Sequence, residues 1–157
     1  MKAERLIPIL TYAGAIPFVA PFLFAMVGPR LPLQWPVFVP MVTLAAFYWG
    51  LIILNFMAGT VWGMAVTGSH LRGGVGEEKR SLWPLLLGSN AIAIVSWVNI
   101  LTPYQSPLYM AFGFLALLPL DRIAQHRGLI SDNYYRLRMT VTGIVVASLL
   151  GLWMLTV

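Results

Sequence analysis

The chain is 157 residues long, 59% hydrophobic and only 10% charged, against roughly 25% charged in a soluble domain. Its formal charge of +5 comes from basic residues at the ends of apolar runs, where anionic headgroups take them up, so no nucleic-acid partner is expected. With no cysteine, disulfides, iron–sulfur ligation and thiol chemistry are excluded.

A bilayer core of about 30 Å needs about 20 helical residues. Five runs meet that need and predict an all-α bundle of five transmembrane helices in a single domain, residues 1–157. The first run, Leu6–Val27, is too long for a signal-peptide core and is read as a retained span. Pro17 and Pro21 remove backbone donors from its middle, so it should kink and lean on its neighbours. Gly28–Pro40, with four prolines and Trp35, is expected to be an extended surface segment. The second run, Met41–Thr67, is the longest and must tilt or protrude. A glycine-rich loop with Glu77-Glu-Lys-Arg80 follows. Ser81 is then the candidate cap of the third run, Leu82–Leu101. Ser106-Pro107 has the pattern of a cap followed by a first-turn proline. It opens the fourth run, Leu108–Asp121 with its flanks, which should continue to Gly128 as C-cap glycine. Ser131 or Asp132 is the candidate cap before the fifth run, Leu137–Val157.

Cut this way, the chain places nine of its ten Lys and Arg residues on one side, with only Arg30 opposite. Lys/Arg-rich loops stay cytoplasmic, which sets the N-terminus inside and the C-terminus outside. A bacterial inner membrane is the simplest home. A mitochondrial inner membrane is the less favoured one, because no Arg- and Ser-rich presequence is present.

On the second run, Tyr48, Ile52, Asn55, Gly59, Trp62 and Val66 share one helix face. Gly59 and Gly63 form a G-x-x-x-G pair that lets helices approach closely. This face is expected to pack inside the bundle, with a ligand-facing or homodimer role as the alternative. Asn55 at mid-membrane needs a polar partner. The third run offers Ser89, Ser96 and Asn99 on one face. Together these predict a seam of Tyr48, Asn55, Gly59, Trp62, Gly63, Ser96 and Asn99 that either packs helices or lines a cavity. Gly143, Ala147 and Gly151 predict a second close-packing face on the fifth run. At the inner surface, Asp121 should pair with an arginine, Arg138 first. Arg122 and Arg136 lie beside them as anchors or as a headgroup site. No metal or cofactor is expected: His70 and His126 lack ligand spacing, and Gly73-Gly-Val-Gly76 follows no strand.

Ile16-Pro-Phe18, the stretch from Tyr48 through Phe56-x-x-Gly59-x-x-Trp62-Gly63, Asp121-Arg122 and Tyr135-x-x-Leu-Arg138-x-Thr140 resemble a bacterial membrane family of unknown function. Its eukaryotic relatives include the mitochondrial transmembrane protein 69. Members often carry a His before the Trp, where this chain has Val61. The resemblance covers nearly the whole chain and implies a small multi-span inner-membrane protein. It implies no activity. The tryptophan-rich sensory proteins also have five spans and about this length, but their Trp-Asn-Pro motif is absent here, so that likeness is one of architecture.

The function expected from these features is non-catalytic. The chain should be an accessory or binding protein that docks to a membrane complex or holds a lipid-like ligand. The alternative is a small transporter or a tetrapyrrole- or sterol-type receptor with a cavity between the second and third helices. A third reading is a lipid-headgroup enzyme built on Asp121 and the arginines.

Overall fold

A computed structural model describes residues 3–28, 35–71, 82–101 and 106–156, with side chains described from 6–28, 40–68, 82–101 and 106–155. Among the described residues there are five helices: α1 (Ala3–Val27), α2 (Trp35–Leu71), α3 (Trp83–Leu101), α4 (Pro107–His126) and α5 (Asp132–Thr156). All five are long and apolar enough to cross a membrane. The Gly73–Gly76 loop, Glu77–Arg80 and the Ser81 cap lie outside the described residues.

Both ends of α4 and the start of α5 fall where backbone chemistry predicts. At the start of α4 the Ser106 side chain accepts from the Leu108 N–H at 3.2 Å, and Pro107 fills a position whose N–H would have no partner. At its end, Gly128 takes φ +68, the Leu129 N–H reaches the Ala124 carbonyl and the Gly128 N–H reaches Gln125. That pair of bonds is a Schellman closure, and it needs a residue without a Cβ at the left-handed position. Ser131, not Asp132, caps α5, accepting from the Tyr134 N–H at 3.3 Å. Ser106→Ala should lower stability by about 0.5–2 kcal/mol. A small fall in the detergent melting temperature, with span number unchanged, would register it.

One boundary and one internal feature differ from the sequence expectation. α2 begins at Trp35, so part of the segment expected to be extended is helical. Pro36 sits in its first turn, where a missing N–H costs nothing, and Pro40 is carried within the helix. α1 is a continuous helix through Pro8, Pro17 and Pro21. Trp49 Nε1 of α2 donates to its Gly14 carbonyl at 3.2 Å and ties the two helices, whereas the carbonyls deprived of a donor by Pro17 and Pro21 are those of Ala13 and Pro17.

The helices form a closed ring, each packed on the next in chain order and α5 back on α1, while α2 and α4 touch across the middle. The core gathers where they cross. Phe18 meets Phe114 edge-to-face at 5.5 Å, and Phe47, Leu51, Leu54, Ala58, Val61 and Ala65 line the buried side of α2. Glycines of one helix receive large side chains of another: Gly113 takes Leu54, Gly88 takes Leu120, and Gly50 takes Met110 and Phe18. These are knob-in-hole contacts, which hold membrane helices together where lipid removes the hydrophobic drive between them.

Candidate functional site

The α2 stripe does not pack inside the bundle. Tyr48, Ile52, Asn55, Gly59 and Trp62 are exposed on the outer face of α2, Trp62 by 47%. A Cβ added at Gly59 or Gly63 would meet nothing within 4 Å. Asn55 reaches no group of α3; its Nδ2 donates to the Leu51 carbonyl of its own helix at 2.8 Å. The expected Asn55–Ser96–Asn99 seam is therefore not formed. In lipid, one bond to the i−4 carbonyl spares the amide nitrogen the cost of standing unpaired, and any face of an apolar helix can turn outward. The fifth-helix stripe is corrected likewise. Gly143 and Ala147 are exposed, and only Gly151 is packed, against the Phe22 ring.

Ser89, Ser96 and Asn99 do share the buried face of α3. Ser96 and Asn99 border a lipid-open groove of about 480 Å³ between α3 and α4. There α2 contributes Leu54 and not Asn55.

Asp121 and Arg138 meet as expected. Arg138 Nε and Nη2 both lie 3.1 Å from Asp121 Oδ2. The two side chains are 1% and 8% exposed, so the pair is buried between α4 and α5. The short Schellman turn between these helices sets them side by side and brings the two residues into reach. Asp121 Oδ1 is enclosed without a partner. The Arg138 guanidinium also lies over the Tyr134 ring at 5.9 Å. Arg122 is not part of the pair. It stacks over Tyr135 at 5.4 Å and donates to Gln125 Oε1, and Gln125 Nε2 donates to Asp132, a relay that ties the end of α4 to the start of α5. Arg136 is exposed beside them, as is His126. The side chain of His70 lies outside the described residues. Among the described residues no three His, Cys, Asp or Glu groups gather as a metal site.

The ion pair closes one end of a second groove, of about 400 Å³, which the sequence reading missed. Ile7, Leu10, Thr11, Gly14 and Phe18 of α1 form one wall, and Ile53, Phe56, Met57 and Thr60 of α2 the other. Tyr134, Arg138, Val141, Thr142 and Val145 of α5 form its back. Thr11 and Thr60 turn their hydroxyls to the Ile7 and Met57 carbonyls of their own helices, so the walls act as apolar surface. Ligand sites are commonly of about 300–1,000 Å³, mostly apolar, with a few placed polar groups. This groove has that character, with its charge at one end. A sequence signal for it existed in Gly14, a small residue facing the weakly packed α1–α2 side, but glycine in a span is equally a packing residue.

Five apolar helices, a buried ion pair at one end of the bundle and lipid-facing grooves define a multi-pass membrane protein. The family model for "Protein of unknown function (DUF3429)" matches residues 3–154. The chain belongs to that family. Neither a curated protein nor a solved structure matches it significantly.

Proposed function

We propose that this chain is a non-catalytic binding protein of the bacterial inner membrane, with its N-terminus inside, and that it holds a lipid-like ligand in the groove between α1, α2 and α5. The observation that carries the reading is the groove itself: apolar walls, one charged end and a volume in the range of ligand sites. The burial of Asp121, which removes it as an accessible acid or base, supports the non-catalytic part. The inside N-terminus rests on the nine-to-one split of basic residues. A kinship with mitochondrial transmembrane protein 69 remains part of this proposal and rests on the shared motifs.

Gly14→Phe tests the groove. Nothing stands within 4 Å of a Cβ there, so the ring should enter the groove without disturbing the bundle. Lipid extracted from the source membrane should raise the melting temperature of the delipidated parent, as any ligand of the native state does. Gly14→Phe should melt like the delipidated parent and not respond. An equal response in both proteins would remove the groove from the account. Orientation is tested separately in this cysteine-free chain. Asn133→Cys should label only from inside and a reporter after Val157 should lie outside; the reverse pattern overturns the topology.

A second reading, docking to a membrane complex or to another copy of the chain, is favoured by the outer face of α2. There the Asn55 amide stands beside the open surfaces of Gly59 and Gly63. If that face docks, Gly59→Leu should leave the monomer folded and reduce co-purification of the partner or dimer.

A further inference from the structure

We propose that the occupant of the groove is an acidic amphiphile, with its carboxylate or phosphate on the Arg138 guanidinium and one apolar chain running along α1 toward Phe18. This rests on the groove reading above and names the ligand class for the same site.

Three observations carry it. First, the guanidinium is only partly used. It carries five N–H donors, and Asp121 engages Nε and Nη2 through a single oxygen. Arg138 lines the groove, and Nη1 takes no part in the contact with Asp121. The Arg138 side chain is only 8% exposed and lines the groove, so a molecule that fills the groove is placed to supply the acceptor for the remaining donors. A carboxylate or phosphate is matched to the planar fork in geometry as well as charge.

Second, the other polar groups select against alternatives. The Thr11 and Thr60 hydroxyls are already committed to carbonyls of their own helices. Asp121 Oδ1 is enclosed and cannot receive a ligand donor. At the charged end the guanidinium can only donate, and the Tyr134 and Thr142 hydroxyls that also line the groove can donate as well, which suits an acid better than an amine. Arg122 and Arg136, on neighbouring turns of the same end, add positive potential toward the same choice.

Third, the length fits. Ile7 and Phe18 are eleven residues apart on α1, about 16 Å at 1.5 Å per residue. That is close to half of a bilayer core of about 30 Å. The chain would lie at the depth of one leaflet, and its head would lie at the end where α5 begins. A volume of about 400 Å³ leaves room for one chain rather than for a two-chain lipid held whole.

The test uses the purified full chain in a non-ionic detergent and four probes: oleate, oleoyl lysophosphatidate, oleyl alcohol and inorganic phosphate. Oleate or the lysophosphatidate should bind at least tenfold more tightly than oleyl alcohol, and whichever of the two wins separates a fatty acid from a phosphate-headed lipid. Equal binding of oleyl alcohol would overturn the acidic class while leaving the groove reading intact. Binding of none of the three chain-bearing probes would overturn both. Binding of inorganic phosphate as tight as that of the acids would overturn the amphiphile and leave a free-anion site. Arg138→Met combined with Asp121→Leu removes both charges at once, a change that buried pairs often tolerate. That double variant should stay folded and lose the preference for acids; a folded double variant that keeps the preference would overturn the role of Arg138.

Discussion

Asp121→Asn should destabilise the bundle by about 3–5 kcal/mol, the usual cost of removing one partner from a buried ion pair. The asparagine keeps the shape but leaves the Arg138 cation, 8% exposed, without its counter-charge between α4 and α5. Unfolding in mild detergent, followed by helical signal, should show a lower midpoint. The reciprocal exchange Asp121→Arg with Arg138→Asp should recover part of the loss, because opposite charges again face each other across the same gap. Recovery will be incomplete: the two positions differ in burial, and the stacking of Arg138 over Tyr134 is lost. Unchanged melting in Asp121→Asn would show that the pair does not anchor the bundle.

The second large effect belongs to glycines. Gly151→Leu should sharply lower stability, because a Cβ at that position already meets the Phe22 ring, with ring atoms at 2.8 and 2.9 Å, and the half-buried ring must swing away for α1 and α5 to stay together. Gly113→Leu drives α4 off Leu54, whose Cδ2 lies 2.6 Å from the built Cβ, and should cost at least the ~1–3 kcal/mol of an overpacked core. Gly59→Leu and Gly63→Leu, with open space at both positions, should be as stable as the parent. The yield of monodisperse protein after detergent extraction separates the two groups. Loss of Gly59→Leu together with retention of Gly151→Leu would reverse the assignment of inner and outer faces.

The contrast between these glycines marks what a sequence can reveal about a membrane bundle. Helix number and the ends of α4 were legible, because length, hydropathy and capping chemistry act locally: Ser106-Pro107 and Gly128 do what their types dictate. The Asp121–Arg138 pair was legible too, since a carboxylate in an apolar run needs a cation and the connection between α4 and α5 is short. The direction each helix faces was not. In water a polar face turns out and an apolar face turns in; in lipid both faces are apolar, and only small residues hint at packing. α2 carries two such stripes. One contains Gly59 and Gly63; the other contains Ala46, Gly50, Ala58, Ala65 and Gly68. The second is the buried one, and its glycines receive Met110, Phe18 and Leu129. The G-x-x-x-G spacing favoured the wrong stripe because the spacing says nothing about which partner is present. The 400 Å³ groove was invisible for a related reason: it is made of ordinary apolar side chains from α1, α2 and α5, and only their arrangement leaves a gap above Arg138.

Native mass spectrometry of the chain released from nanodiscs of source lipid puts the central claim to its most direct trial. A protein that holds one lipid-like ligand in this groove should appear with a single bound molecule that survives activation sufficient to strip annular lipid, and tandem fragmentation should identify that molecule as a carboxylic or phosphoric acid bearing an apolar chain. Gly14→Phe, recovered in the same yield, should appear bare under the same activation. A bare parent, or an adduct retained equally by Gly14→Phe, would contradict the account.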